Sequence, residues 1–354
     1  MRLTVLSVSY PLAKVSPGTA GGAEQVLATL DKGLVRAGHR SLVLAPEGSR
    51  CSGLLIPARV PSGVLDEAAK REARQIFKHL LEQTLSHFDV DVVHMHGIDF
   101  CEYLPDTDVP VLVSMHLPLS WYSSVALVDK PEKVMLVSVS QFQARTAPRE
   151  IEIDHTVPNG VELEDFSAPR HAGNYLLAMG RICPEKGFHL AIEAAERVDE
   201  DLILAGSVFE YPEHRAYFES MIVPKVKGNS RLHFLNSVGG RRKRHLLAGA
   251  KCLLIPSQVC ETSSLLAMEA MAAGTPVIAW NSGALPQIVR NGKTGFIVTS
   301  VQDMAEAIRE VHRIDRQVCR REAERRFDSR EMLTGYVSLY KSLARFSVPE
   351  LQAA

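Results

Sequence analysis

The feature that most constrains this chain is a repeated alternation. Short runs rich in Val and Leu, with little polar interleaving, alternate with segments whose apolar residues recur at helix spacing. Such runs read as strands buried on both faces, which happens in parallel sheets covered by helices. In the first half, strands are expected at 3–8, 41–45, 91–95, 109–114 and 134–139, with helices at 23–36 and 65–87. The second helix carries Leu65, Ala68, Ala69, Ile76, Phe77, Leu80 and Leu81, a helical rather than a strand period. Gly38 stands where a helix stop belongs. The segment 156–174 breaks the rhythm with two prolines, two glycines and no periodicity, and marks a domain boundary. A second series follows. Strands are expected at 175–179, 201–205, 232–235, 252–256, 276–280 and 295–298, and helices at 188–197, 213–226, 241–249, 264–273, 304–313 and 318–326. A last amphipathic helix, 330–344, presents Met332, Leu333, Tyr336, Val337, Leu339 and Tyr340 on one broad apolar face.

A chain of 354 residues exceeds what one core usually supports. The expected fold class is therefore α/β, with two open parallel sheets. The expected domains are residues 1–160, 161–327 and a terminal helix at 328–354. Ligands of such sheets bind beyond the C-terminal ends of the strands. With 40 basic against 41 acidic side chains, net charge −1, no broad nucleic-acid footprint is expected. The six cysteines, at 51, 101, 183, 252, 260 and 319, form no C-x-x-C pair, which fits reduced thiols in a cytoplasmic protein. The first apolar run contains Ser and Thr and is too short for a signal peptide, and no run of about 18 apolar residues reads as a membrane span.

The chemistry concentrates in IPSQVCETSSLLAMEAMAAGTPVIAW, residues 255–280. A strand ends near Ile255, a loop runs through Glu261 and Thr262, and a helix follows that Gly274 closes. Thr262, Ser263 or Ser264 is suited to cap that helix, whose first free N–H groups suit phosphate. Glu261 and Glu269, eight residues apart, can accept hydrogen bonds at two points along one ligand, sugar hydroxyls at one and ribose hydroxyls at the other. Glu269 lies among Leu265, Leu266, Ala267, Met268, Ala270 and Met271, and a carboxylate in such company needs a partner or a ligand. Two further stretches stand out: GRICPEKG at 180–187, and Gly21-Gly22 followed by Glu24 after a long loop.

In this order and spacing the motifs resemble those of retaining glycosyltransferases of family 4, the glycogen-synthase-like glycosyl transferases group 1. The likeness runs over essentially the whole chain. It implies a GT-B fold, two Rossmann-like domains facing across a cleft, with the C-terminal helix crossing back to the first domain. It also implies transfer of a sugar from a nucleotide sugar, UDP-linked first and GDP-linked second, to an acceptor hydroxyl by front-face attack. On this resemblance the catalytic set is His116, Glu261, Arg181 and Lys186. The donor-binding set is Gly21, Gly22, Arg181, Lys186, Glu261, Thr262, Ser263, Ser264, Leu265 and Glu269. Arg181 and Lys186 would stabilise charge developing on the departing diphosphate. His116 would contact the donor sugar. His94 reads as structural, and His96 as orienting neighbours or touching the acceptor. No metal and no other cofactor is implied.

The chain departs from the family pattern in two places. Thr262-Ser263-Ser264 stands where Gly-Phe-Gly is common, and Gln287 where Glu is common. Both bear on donor identity. The basic run 241–245 suits a solvated face, an anionic acceptor or a membrane surface, and Lys243 suits the donor phosphate. A small-molecule, glycan or lipid-linked acceptor fits, with peripheral membrane contact in the last case. The oligomeric state is not written in the sequence. A nucleotide-sugar epimerase on the same fold is the competing activity, and a noncatalytic nucleotide-binding relative is the competing class.

Overall fold

The computed structural model describes residues 1–16, 18–19, 21–61, 66–169, 171, 173–209 and 211–346. The chain divides into two compact units. Unit 1 is 1–159 with 330–354, and unit 2 is 160–329.

Unit 1 is built on a seven-stranded sheet: β1 (Thr4–Val8), β2 (Arg40–Pro46), β3 (Leu54–Ala58), β4 (Val92–Met95), β5 (Val111–Met115), β6 (Val134–Ser138) and β7 (His155–Thr156). Its order is β3-β2-β1-β4-β5-β6-β7, all parallel. Along the first stretch of the unit, helices α1 (Gly22–Arg36), α2 (Glu67–His87), α3 (Ser124–Val128) and α4 (Gln141–Arg145) accompany it. Gly38 stands two residues past α1 at φ 80, a left-handed stop that glycine adopts without strain. The expected start of α2 at Leu65 lies outside the described residues. Asp66 caps α2 by accepting from the Ala69 N–H.

Unit 2 repeats the plan with β8 (Tyr175–Met179), β9 (Asp201–Gly206), β10 (Leu232–Asn236), β11 (Cys252–Ile255), β12 (Val277–Trp280) and β13 (Gly295–Val298). The order is β10-β9-β8-β11-β12-β13, again all parallel. Its helices are α5 (Phe188–Val198), α6 (Pro212–Tyr217), α7 (Val223–Gly228), α8 (Gly240–Gly249), α9 (Leu265–Ala272), α10 (Leu285–Ile288), α11 (Val301–Glu310) and α12 (Arg316–Arg326). Each sheet grows outward in both directions from its first strand. This leaves a switch point between β1 and β4 in unit 1 and between β8 and β11 in unit 2, where doubly wound sheets hold their ligands.

The last helix, α13 (Ser329–Phe346), returns the chain to unit 1. Its residues Tyr336 and Tyr340 are fully buried. Leu333 covers Gly33 of α1 so closely that a Cβ there would lie 2.7 Å from it. Two Rossmann-like parallel-sheet units and a returning C-terminal helix make this a GT-B architecture.

Several elements differ from the sequence expectation, among them the short helices α3, α4 and α10, whose four or five residues are too few to show a period. Strand β3 was not expected. It contains Pro57 and lies at the sheet edge, where a missing N–H costs no ladder bond. The two-residue β7 is too short to leave a pattern. The single helix expected at 213–226 is α6, a π-turn over Phe218–Ile222, and α7. Pro224 cannot donate to the carbonyl four residues back and crowds it, so the ladder shifts before it. Among the described residues no helix is long and apolar enough to cross a membrane, and all six cysteines are free.

Candidate functional site

In unit 2 two loops leave adjacent strands at the switch point. The first follows β8 and carries Gly180, Arg181 and Lys186. The second follows β11 and carries Ser257 and Glu261. Gly187, at φ 65, explains how they come together: a Cβ there would lie 2.2 Å from the Pro256 carbonyl oxygen. Only glycine permits both that conformation and that approach. The Gln258 N–H then donates to the Glu185 carbonyl at 2.8 Å, stitching one loop to the other.

The stitch sets the Lys186 ammonium 2.5 Å from Glu261 Oε1, and the Ser257 hydroxyl donates to the same oxygen at 2.6 Å. Glu261 is 9% exposed. It is held from behind as well: Gly283, at φ 58, lies so close that a Cβ would be 2.1 Å from the Glu261 carbonyl oxygen, which accepts from the Ala284 N–H. Charge-assisted bonds of this kind fix a carboxylate's orientation before any ligand arrives.

Glu269 lies within α9, 7% exposed. Lys243 of α8 approaches both of its oxygens at 2.6 Å, and the geometry is that of a hydrogen bond only at Oε1. Oε2 is buried with no hydrogen-bond donor. The pair is thus an ion pair to both oxygens with one hydrogen bond, and Oε2 keeps room for a further donor. Ser264 is the cap of α9, accepting from the Ala267 N–H at 3.3 Å. Ser263 Oγ is buried without a partner, Thr262 is buried, and Leu265 opens the helix. Arg181 lies with its guanidinium carbon 5.8 Å from the centroid of Phe209.

Within unit 1, Gly21 precedes α1 and Gly22 begins it, after the long loop that leaves β1. The Glu24 side chain folds back over Gly21 and fills the place of a Cβ. His96 follows β4, and His116 follows the neighbouring β5. Their rings stack with centroids 5.1 Å apart, and His96 Nδ1 lies 2.9 Å from His116 Nε2. One proton between two neutral rings makes that bond. Burial pushes His116 down to about 4, and pushes His94 and His96 well below the usual imidazole value. All three rings are therefore neutral at pH 7. His94 is structural: its Nδ1 meets the Tyr340 hydroxyl at 2.6 Å and its Nε2 the Ser114 hydroxyl at 2.8 Å, and Ser114 in turn meets Tyr336 at 2.6 Å.

The predicted residues thus divide between the units, with Arg181, Lys186, Glu261, Thr262, Ser263, Ser264, Leu265 and Glu269 in unit 2 and Gly21, Gly22 and His116 in unit 1, and a hydrogen-bonded ion pair joins Lys186 to Glu261. Sequence reasoning passed over Ser257 and Gly283. It read Lys243 toward a phosphate, whereas Lys243 pairs with Glu269. Ser257 carried a signal, a hydroxyl four residues before Glu261 in a strand-end loop. The Lys243–Glu269 pair did not, because 26 residues separate its members.

Residues 162–326 match the family described as Glycosyl transferases group 1, and residues 20–165 match Glycosyltransferase Family 4. Glycogen synthase of Mycobacterium tuberculosis is 26% identical over 377 residues, covering 88% of this chain and 86% of that one. Phosphatidyl-myo-inositol mannosyltransferase of the same species is 22% identical over 309 residues, covering 78% and 79%. Among solved structures, sucrose-phosphate synthase of Thermosynechococcus elongatus aligns with a TM-score of 0.81 at 18% identity, over 98% of this chain and all of that one. An Anabaena protein in complex with UDP-glucose aligns at 0.74 and 18%, over 96% of this chain and all of that one. The chain belongs to the glycosyl transferases group 1, family 4, and is a GT-B glycosyltransferase that moves a sugar from a nucleotide-sugar donor.

Proposed function

We propose that the protein is a retaining transferase that uses a UDP-sugar without a catalytic metal. The observation that carries this reading is the pair of part-buried lysine–glutamate contacts in unit 2, Lys186 with Glu261 and Lys243 with Glu269, which hold two carboxylates of the β11 loop and α9 in place. Glu269 accepts from ribose hydroxyls, and Glu261 accepts from hydroxyls of the transferred sugar. Arg181 and Lys186 hold the diphosphate and stabilise the charge it gains on leaving, the task a metal performs elsewhere. The N-terminus of α9, in the loop-helix segment that carries Glu261, suits a phosphate. His116, neutral at pH 7, donates to or accepts from a sugar hydroxyl without adding charge.

In front-face transfer the acceptor hydroxyl attacks the anomeric carbon on the side the diphosphate leaves. Its proton passes to the departing phosphate oxygen, so no side-chain nucleophile is needed. UDP is favoured because the aligned Anabaena protein was solved with UDP-glucose. The mannosyltransferase relative, whose name contains a phosphoinositide, supports a lipid acceptor, and the glycogen synthase relative supports a glycan.

The test is a panel of nucleoside diphosphates by thermal shift, followed by anomeric NMR of the product formed from the best donor. A rise in melting temperature with UDP above that with GDP, and a product of unchanged anomeric configuration, are expected. Equal shifts with all bases would remove the UDP assignment. Inversion would remove the front-face route. Isomerisation of the donor with no acceptor present would favour an epimerase.

A further inference from the structure

A second cluster lies beside the phosphate loop but takes no part in the donor reading. Cys183 and Glu185 stand on that loop, and His214 stands on α6. One ligand atom from each, the thiol sulfur, a carboxylate oxygen and a ring nitrogen, lies within 4.8 Å of the others. Cys183 is 1% exposed and His214 9%.

Two of the three residues carry a polar atom that the fold leaves unsatisfied. His214 Nδ1 and Glu185 Oε2 are both buried with no hydrogen-bond partner. Two orphaned atoms in one small cluster is a cost that a folded protein seldom carries without a ligand to relieve it. The ring of His214 is held in place edge-on by Tyr211, centroids 5.1 Å apart.

We infer that Cys183, Glu185 and His214 form a binding site for a zinc-class divalent ion. The ligand set selects the ion. Thiolate and imidazole exclude magnesium and calcium, which take oxygen, whereas sulfur, nitrogen and one carboxylate oxygen are the zinc repertoire. Bonds of about 2.0–2.3 Å around a tetrahedral ion separate ligand atoms by roughly 3.5 Å. Side-chain movements of about 1 Å therefore close the cluster on the ion.

The charges balance as well. A thiol binds the ion as its thiolate, so binding displaces one proton from Cys183. One thiolate and one carboxylate then neutralise the ion in a place that Arg181 already makes positive. The consequence is mechanical: the ion fastens the loop bearing Arg181 and Lys186 to α6.

Metal binding is read with no nucleotide present, so the test is independent of the donor assignment. Protein carrying Cys260→Ser, which removes the exposed thiol, is stripped with chelator and titrated with Co2+, then with Zn2+. One equivalent of Co2+ with a thiolate-to-cobalt charge-transfer band, displaced by Zn2+, is expected. The band disappears in Cys183→Ser. Zn2+ raises the melting temperature of the parent, and at least tenfold more is needed to do so in His214→Gln or Glu185→Gln. The three variants are first compared by circular dichroism without metal, and only those matching the parent are titrated. The assignment is overturned by a parent without the band, by a band at full strength in Cys183→Ser, or by unchanged Zn2+ affinity in folded His214→Gln and Glu185→Gln.

Discussion

Two buried charges in unit 2 are treated differently. Arg316 of α12, 6% exposed, gives its guanidinium to the carbonyls of Pro169, Ala250 and Ala248 and to the Thr275 hydroxyl, at 2.6–3.1 Å. Glu269 of α9, 7% exposed, has a single charged partner, the Lys243 ammonium 2.6 Å from both oxygens, with hydrogen-bond geometry only at Oε1. Both charges are equally hidden, but the arginine makes four hydrogen bonds with its five N–H groups, whereas the carboxylate makes one. A group whose work is structural spends most of its hydrogen-bonding capacity on its neighbours, because each orphan costs stability and returns nothing. A group whose work is recognition keeps an acceptor in hand for the ligand. The contrast separates a strut from a site where burial alone does not.

The most severe way to probe the contrast is Arg316→Met. It takes the donor from three carbonyls, and a loss of about 3–5 kcal/mol in unfolding free energy is expected, with nucleotide affinity of the folded fraction unchanged. Affinity falling in step with stability would erase the distinction between strut and site. Lys186→Ala should do the reverse. Turnover drops about 100- to 1,000-fold while the melting temperature moves by only a few degrees, as steady-state kinetics and calorimetry will show. Near-normal turnover would take Lys186 out of the mechanism.

Glu269→Gln is a finer test. The amide keeps an oxygen for Lys243 but loses the anionic acceptor, and nucleotide binding by calorimetry should weaken about 10-fold or more with the fold retained. Unchanged affinity would end its ribose role.

Unit 1 extends the comparison to histidines. His94 is bonded at both ring nitrogens, whereas His96 Nε2 is buried and unpartnered beside His116. Tyr340→Phe removes the hydroxyl on His94 and should cost about 1–2 kcal/mol of stability with little change in turnover. The three rings also set a pH window. In the unfolded chain they protonate near 6.5, whereas folded His116 does so only near 4 and His94 and His96 well below 6.5. Unfolding therefore takes up protons between about 6.5 and 4, and stability falls as pH drops through that window. A flat melting temperature across it would mean that the rings are protonated in the folded state. The smallest effect belongs to the metal-free reading of transfer: adding Mg2+ or Mn2+ to chelator-stripped protein should leave turnover unchanged.

Much of this was legible in the sequence. Buried parallel strands announce themselves because both faces are apolar, and β8 and β13 fall where their Val- and Leu-containing runs predict. Gly38 and Gly274 mark helix ends because few other residues accept their positive φ. Glu269 stood out because a carboxylate among six apolar neighbours must be accounted for. These signals are local: each depends on backbone preference or on side chains within a few positions. Tertiary structure decided the rest. Pairing Lys243 with Glu269, bringing Lys186 to Glu261 and Ser257, stacking His96 on His116 and linking His94 to Tyr340 across 246 positions all require strands and helices remote in sequence to pack together. Whether a buried polar atom has a partner depends on distances of about 3 Å between such elements, and no pattern along the chain encodes them.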